Sequence, residues 1–208
     1  MKMNKSIFRP EIFFELEHVE CREIFDNVNF AWETVPKIAG YLAIKLINQK
    51  DVVAGEGTKI HPTAVIIGPA IIGRNCIIGP HAYLRENCLI GDNVHIGHAV
   101  EIKNSLLLDG ATVAHLNYIG DSVIGRNVNI SGGVILANTR LDRQPVTIRH
   151  GSKKIKTALA KLGSIIGDDS FIGANAVLNP GTVLGKGSKV YPLVSVKGVY
   201  DQDAIIKE

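Results

Sequence analysis

Six residues in the middle of the chain could do chemistry together: Arg85, Lys103, His115, Tyr118, Asn129 and Asn138. Histidine as a residue type is the usual general acid or base near neutral pH, which makes His115 the candidate for proton transfer. Arg85 and Lys103 are cations, Tyr118 offers a phenol, and the two asparagines offer amides. Each has a bland reading when taken alone: a solvated imidazole, ordinary surface charges, a corner shield, turn residues. The argument lies in their spacing. Arg85 and Lys103 each follow the start of a six-residue repeat by one position, three repeats apart, so they should stack on one face about one strand spacing (~4.8 Å) apart. His98 and His115 occupy equal offsets 17 residues apart on another face. Tyr118 ends the repeat that holds His115, at the corner leading towards Lys103. Like charges this close are tolerated mostly where an anion sits between them. The expectation is a phosphate site beside a general base.

The elements that must hold these residues are short and repetitive. From Ile60 to Val196 the chain reads as an aliphatic residue, often Gly, two variable positions, then a small or apolar residue, as in Ile72-Gly-Arg-Asn-Cys-Ile and Ile90-Gly-Asp-Asn-Val-His. This hexapeptide period is that of a parallel β-helix, in which one rung cannot bury its aliphatic side chain alone and stacked rungs bury a continuous core. Gly is read as the residue of the sharp turn, because it takes positive φ freely. Ile67 reads as a shortened step, and Ile102-Lys-Asn-Ser-Leu and Ile119-Gly-Asp-Ser-Val as five-residue ones. The period breaks over 139–164, a stretch dense in Lys and Arg with Asp142 as its only acid, and resumes at Ile166. An excursion of this kind reads as a loop on the binding face. Residues 1–59 do not repeat. A helix is expected at about 35–49, with Thr34 as N-cap and Pro36 in the first turn, closing the open end of the solenoid as a cap. The fold class is therefore all-β, with domains at 1–59 (cap), 60–197 (β-helix) and 198–208 (tail).

Composition narrows the function classes. A net charge of +3 argues for neither nucleic acid nor a membrane surface as partner. No apolar run approaches the roughly 20 residues that span a bilayer, and Met1–Pro10 has no signal-like apolar region. Cys21, Cys76 and Cys88 include no CxxC pair, and two of them fall at small-residue positions of rungs, so buried reduced thiols and a cytoplasmic location are expected.

Ala99-Val-Glu-Ile-Lys103-Asn, Ala114-His115-Leu-Asn-Tyr118-Ile-Gly-Asp, Asn127-Val-Asn129-Ile and Ile165-Ile-Gly-Asp-Asp-Ser-Phe-Ile-Gly resemble the acetyltransferase domain of the bifunctional bacterial glucosamine-1-phosphate acetyltransferase/N-acetylglucosamine-1-phosphate uridylyltransferase. The spacing is kept without gaps from Arg85 to Asn138. The resemblance implies a left-handed β-helix that forms a homotrimer with sites between subunits, and acetyl-CoA as acyl donor, with no metal. It implies His115 as the general base that takes a proton from the attacking sugar amine, and Asn129 as the residue that orients it. It implies Arg85, Lys103, Tyr118, Asn138 and Lys161 as residues that bind the sugar phosphate, and Ala174 and Pro192 at coenzyme-binding positions. The chain departs from the family at Thr139, where it has Tyr, and at Ala174, where it has Ser; the excursion is an insertion. Asn179-Pro-Gly-Thr-Val-Leu-Gly and Val194-Ser-Val-Lys-Gly-Val-Tyr resemble stand-alone relatives of that uridylyltransferase, and residues 1–59 hold no Gly-rich nucleotide loop.

The expected function is acetyl or acyl transfer from a CoA thioester to the amine of an amino-sugar phosphate such as glucosamine 1-phosphate. The competing reading is a sugar-phosphate or sugar-nucleotide binding or assembly protein that has lost transfer, favoured by Thr139 and Ala174. A zinc enzyme resembling the γ-class carbonic anhydrases would need three converging ligands. His98 and His115 supply two at equal offsets, but His81 falls at a different one.

Overall fold

The computed structural model describes residues 5–207; Met1–Asn4, within the stretch read as lacking a signal, and Glu208 lie outside the described residues. The chain winds into a left-handed β-helix with three parallel sheets. The first sheet has eight strands, from Val52–Ala54 to Val199–Tyr200; the second has eight, from Lys59–Ile60 to Ile205–Ile206; the third has seven, from Val65–Ile66 to Ser195–Val196. Coils advance by 18 residues where Val52 lies opposite Ala70 and by 17 where Leu106 lies opposite Val123. The five-residue steps are real and absorb the difference. Ile67 is not a step: Ile66 is the rung position, in register with Leu84, and Ile67 sits just beyond its strand.

Alternation within each strand decides the core. Ile72, Ile78, Leu84, Ile90, Ile96 and Ile102 point inward and are fully buried, and Leu107, Val113 and Ile119 continue the column. Each such side chain contributes about 1.5–3 kcal/mol by leaving water. The recurring Gly has a different reason from the one its turn position suggests. The left-handed corners, at positive φ, are held largely by Asn75, Asn87, Asn93, Asn104, Asn127 and Asn175. Gly91, Gly97 and Gly173 lie where a Cβ would meet the next coil, 1.8 Å from the Ala114 carbonyl oxygen in the case of Gly97. Close stacking, not turning, demands glycine there.

The first sheet is buried on both faces. Leu89, Leu106, Val123, Ile165 and Val183 point outward, yet they are covered by Phe8, Phe13, Trp32 and Leu42 of the N-terminal segment and by Val146, Ile148 and Ile155 of the excursion. The N-terminal part thus flanks the solenoid instead of closing its end. Besides short helical turns over Lys5–Phe8, Pro10–Phe13 and Arg22–Phe25, it holds a 3-10 helix over Ala31–Lys37 and an α-helix over Ile38–Lys45, the latter shorter than the expected 35–49. Thr34 is not the N-cap; it is wholly buried inside the 3-10 turn, whose start is tied by the Asn29 and Phe30 amides donating to Glu33. Asp168, deep in the solenoid, holds the segment in place: its carboxylate accepts from the Glu15 amide (2.6 Å) and the Arg126 amide (2.8 Å), and its own amide donates to the Phe13 carbonyl (2.9 Å). The solenoid also runs further than 60–197, since Val52–Ala54, Val199–Tyr200 and Ile205–Ile206 are paired strands. The excursion is largely ordered. Thr147–His150 pairs antiparallel with Lys153–Lys156, and Ser164 already belongs to the next strand.

Candidate functional site

Two corners of the triangular coil carry most of the residues singled out above. At the corner between the third and first sheets, Arg85 follows Leu84, Lys103 follows Ile102 and Gly120 follows Ile119, in one column, because Leu84 pairs with Ile102 and Ile102 with Ile119. Arg85 and Lys103 do stack on neighbouring coils. The anion beside Arg85 is built in: its guanidinium donates to Glu101 at 3.0 Å, with Glu86 at 3.9 Å. Lys103 forms no ion pair among the described residues.

Over Gly120 lies a polar knot. Asn138 donates through Nδ2 to the Tyr118 hydroxyl (3.1 Å) and to Asp121 (2.5 Å), and Asn104 donates to the other Asp121 oxygen (2.8 Å). Asp121 and Asn138 are buried. Burial, then the Asp121 charge, pushes the Tyr118 phenol up, against a smaller pull from the Asn138 bond. The phenol therefore stays protonated at neutral pH and, with its oxygen accepting from Asn138, keeps its proton for another acceptor. Gly120 makes this contact possible, since a Cβ there would lie 2.5 Å from Asn138 Nδ2 and 2.6 Å from the Tyr118 hydroxyl. The excursion leaves and returns beside this knot, where the Leu162 amide donates to the Asn138 carbonyl (2.9 Å). Lys161 is the exposed residue just before that return, and the Thr139 hydroxyl donates to Asn138 Oδ1 (3.2 Å).

His115 is not in this group. It lies at the corner between the second and third sheets, across the third sheet from Asn138. There a main-chain ladder runs parallel to the axis: Leu116 N–H to His98 O (3.0 Å), Gly133 to His115 (2.8 Å), Asn175 to Gly132 (2.9 Å) and Leu193 to Ala174 (2.9 Å). His98, His115, Gly132, Ala174 and, over Gly173, Pro192 thus share one column. Ala174 is two coils beyond His115, roughly 10 Å, and Pro192 three. His115 is exposed and rests on Gly97, whose missing Cβ leaves room for Nδ1. The next residue, Leu116, is exposed at φ +56°, an unusual conformation for a bulky side chain. Asn129 belongs to neither corner; it faces outward from the second sheet between Thr112 and Phe171. One chain alone therefore gathers Arg85, Lys103, Tyr118 and Asn138, with Lys161 alongside, and holds His115, Ala174 and Pro192 apart from them. Among the described residues no three His, Cys, Asp or Glu side chains converge as a metal site would require, although the His81 and His98 rings meet edge to face at 5.9 Å.

Two site residues escape a reading by types. Glu101 alternates with Lys103 on a single strand, and its partner Arg85 is a full coil away. Asp121 follows Ile119-Gly120 as an ordinary corner acid would, and only the excursion's return reveals what it holds.

Fold and repeat define the chain as a hexapeptide-repeat β-helix. Residues 163–198 match the family described as bacterial transferase hexapeptide (six repeats), and residues 66–152 match the GMPPB C-terminal domain. Its curated homologues include bifunctional GlmU proteins. The chain is 35% identical over 162 residues to the "Bifunctional protein GlmU" of Methanococcus vannielii, covering 78% of this chain and 39% of that protein. It is 40% identical over 141 residues to that of Nitrosospira multiformis, covering 68% and 27%. The chain thus spans well under half the length of these relatives. Among solved structures it is similar to the UDP-N-acetylglucosamine O-acyltransferase (LpxA) from Moraxella catarrhalis, at 16% identity and a TM-score of 0.42, covering 73% of this chain and 69% of that one.

Proposed function

We propose that the protein transfers an acetyl or acyl group from a CoA thioester to the amine of an amino-sugar phosphate such as glucosamine 1-phosphate. The observation that carries this reading is the knot of Tyr118, Asp121 and Asn138 over Gly120, flanked by Lys103 and Arg85. It offers a neutral phenol, oriented by Asn138, to a sugar hydroxyl and a cation to the phosphate. Lys103 is the main phosphate cation, because Arg85 is already shared with Glu101. Lys161, exposed beside Leu162 where the excursion returns, would be a further cation for the substrate. In the reaction the amine nitrogen attacks the thioester carbonyl carbon, the C–S bond breaks, and the amine proton passes by way of His115 to the departing thiolate, which leaves as free thiol. The acyl donor would lie along the column of His115, Ala174 and Pro192 with its thioester at His115. Asn129, one strand over, would then orient the histidine only through a group bridging them.

The separation of the two corners supports a homotrimer. A second copy would bring its His115 edge to the first copy's Tyr118 and Asn138. The first sheet is covered by its own chain, which leaves the second and third, with exposed Ile77, Phe171, Val65 and Val177, for neighbouring copies. A cytoplasmic location fits the three free buried cysteines; no helix among the described residues is long and apolar enough to cross a membrane. The test is release of free thiol from acetyl-CoA in the presence of glucosamine 1-phosphate. His115→Ala should slow it by about 10²-fold or more, and turnover equal to wild type would remove His115 from the role of base. Ala174, which brings no hydroxyl to that column, favours the second reading, a sugar-phosphate binding protein without transfer. Calorimetry showing sugar-phosphate binding and no CoA binding would select it.

A further inference from the structure

The corner column that begins with Arg85 and Lys103 does not end at the polar knot. It continues past Gly120 and Ala137 to Asn179 and Lys197, because Leu136 pairs with Leu178 and Leu178 with Val196. Cations thus stand at both ends, with Gly120, Ala137 and Asn179 between them. Lys197 lies four coils beyond Lys103, roughly 19 Å. At the Lys197 end the excursion builds a cleft of about 440 Å³ against the corner. Thr139, Arg140 and Asp142 form one wall, Thr147 and Arg149 the other, and Asn179 and Lys197 the floor. The walls are seated closely. A Cβ on Gly181 would lie 2.8 Å from Val146, and one on Gly198 would lie 3.3 Å from the Arg149 carbonyl oxygen. Ile148, between Thr147 and Arg149, is fully buried, which fixes the strand that presents them.

The charges in this cleft are unevenly matched. Asp142, its only acid, is taken by Arg140, which binds it through two nitrogens. Arg149 and Lys197 have no carboxylate partner among the described residues, and both side chains are exposed. Asn179 is oriented by its own bonds to Ser195 (3.0 Å) and the Val196 carbonyl (2.9 Å). Two cations of different type without a carboxylate partner among the described residues, one on a wall and one on the floor of the cleft, match a ligand with more than one anionic oxygen centre, where guanidinium can bridge and ammonium can act as a point charge.

We infer that this cleft is a second anion subsite, which takes the diphosphate of a nucleotide-bearing ligand between Arg149 and Lys197. It is distinct from the Arg85–Lys103 end and separated from it by the Gly120 and Ala137 positions of the column, the first of which lies under the polar knot. The diphosphate belongs either to a nucleotide-linked sugar or to the CoA donor, both of which contain that group. The subsite goes beyond the acyl-transfer reading and stands whether or not transfer occurs.

Calorimetry on the full chain tests it, with inorganic pyrophosphate, UDP and CoA as separate probes. Wild type should bind at least one of the three, more weakly as salt rises, because the contacts are ionic. Arg149→Gln and Lys197→Gln should each weaken that binding about tenfold, one charge-assisted contact's worth, and Lys197→Arg should restore most of it. Both side chains are exposed, so the variants should melt like wild type. UDP bound more tightly than CoA assigns the subsite to a nucleotide-linked sugar, and the reverse assigns it to the donor. No binding of any diphosphate to wild type, or variants that bind all three as wild type does, overturns the proposal. Loss of thiol release in His115→Ala with diphosphate binding intact would leave the subsite standing, so the two readings fail separately.

Discussion

Gly120 is where a single methyl group should disturb the site most. Its absent Cβ is the space in which the Tyr118 hydroxyl meets Asn138. Gly120→Ala should keep the cooperative fold at a cost of about 1–3 kcal/mol and cut affinity for glucosamine 1-phosphate about tenfold, one hydrogen bond's worth. Melting and calorimetry on the same sample separate the two effects, and unchanged affinity would remove the Tyr118–Asn138 contact from binding. Asp168 gives a prediction in pH. Burial pushes its carboxyl up, partly opposed by the Glu15 and Arg126 amides and by Lys186. A raised folded-state pKa means that the folded chain holds this proton more tightly than the unfolded one. The stability it confers is complete below the unfolded value and is lost as pH rises through the raised one. Relative to Asp168→Asn, which cannot titrate, wild type should therefore gain melting temperature on acidification from neutrality into the upper carboxylate range; a constant gap would show that the carboxyl is not shifted. The stacking of Arg85 on Lys103 is legible in the sequence because a fixed period converts numbers into positions. The Glu101 partnership is not, because it depends on which way two long side chains swing between coils.

The elements fall into a periodic set and an aperiodic one, and only the first can be read ahead. Strands of two or three residues announce themselves because Ile, Leu and Val return every five or six positions, and a solenoid has one way to bury them. The N-terminal segment has no period, so its apolar residues say that it is buried without saying against what. The outward side chains of the first sheet hold the answer: Leu106, Val123, Ile165 and Val183 are as apolar as their inward neighbours, a two-sided pattern that calls for a cover. Trp32 is the largest piece of that cover, edge-on to Phe8 at 5.3 Å and stacked on Phe30 at 4.6 Å. Trp32→Ala should lower stability by about 3–5 kcal/mol, read in chemical denaturation. Limited proteolysis should then cut first within the N-terminal segment, while the solenoid, whose own core is separate, persists. Simultaneous loss of both would mean that the two cores unfold as one.

At the scale of the whole molecule the prediction is one of assembly. A β-helix has three flat sides, and this chain covers one of them itself. The second and third keep large apolar side chains in water: Ile77 at 46% exposure and Phe171 at 45% on the second, Val65 at 54% on the third. Leu116 and Leu193 project from the corner between them, both at positive φ. Scattered apolar residues need no explanation, but on the third sheet they recur at Val65, Tyr83, Ile135 and Val177, a set suited to a contact surface. Three copies, each laying its second–third corner against the next copy's third sheet, would close a ring, hide that set and bring His115 of each to the Asn138 corner of another. Sedimentation of wild type should give a trimer that does not dissociate at micromolar concentration. Phe171→Glu, which places a charge in the middle of that contact and touches no residue of the polar knot, should give monomers that keep their strand content and lose thiol release together with the trimer. A monomeric variant with full turnover would place the whole reaction within one chain, and the separation of His115 from Asn138 would then need a movement across the third sheet that a packed solenoid does not permit.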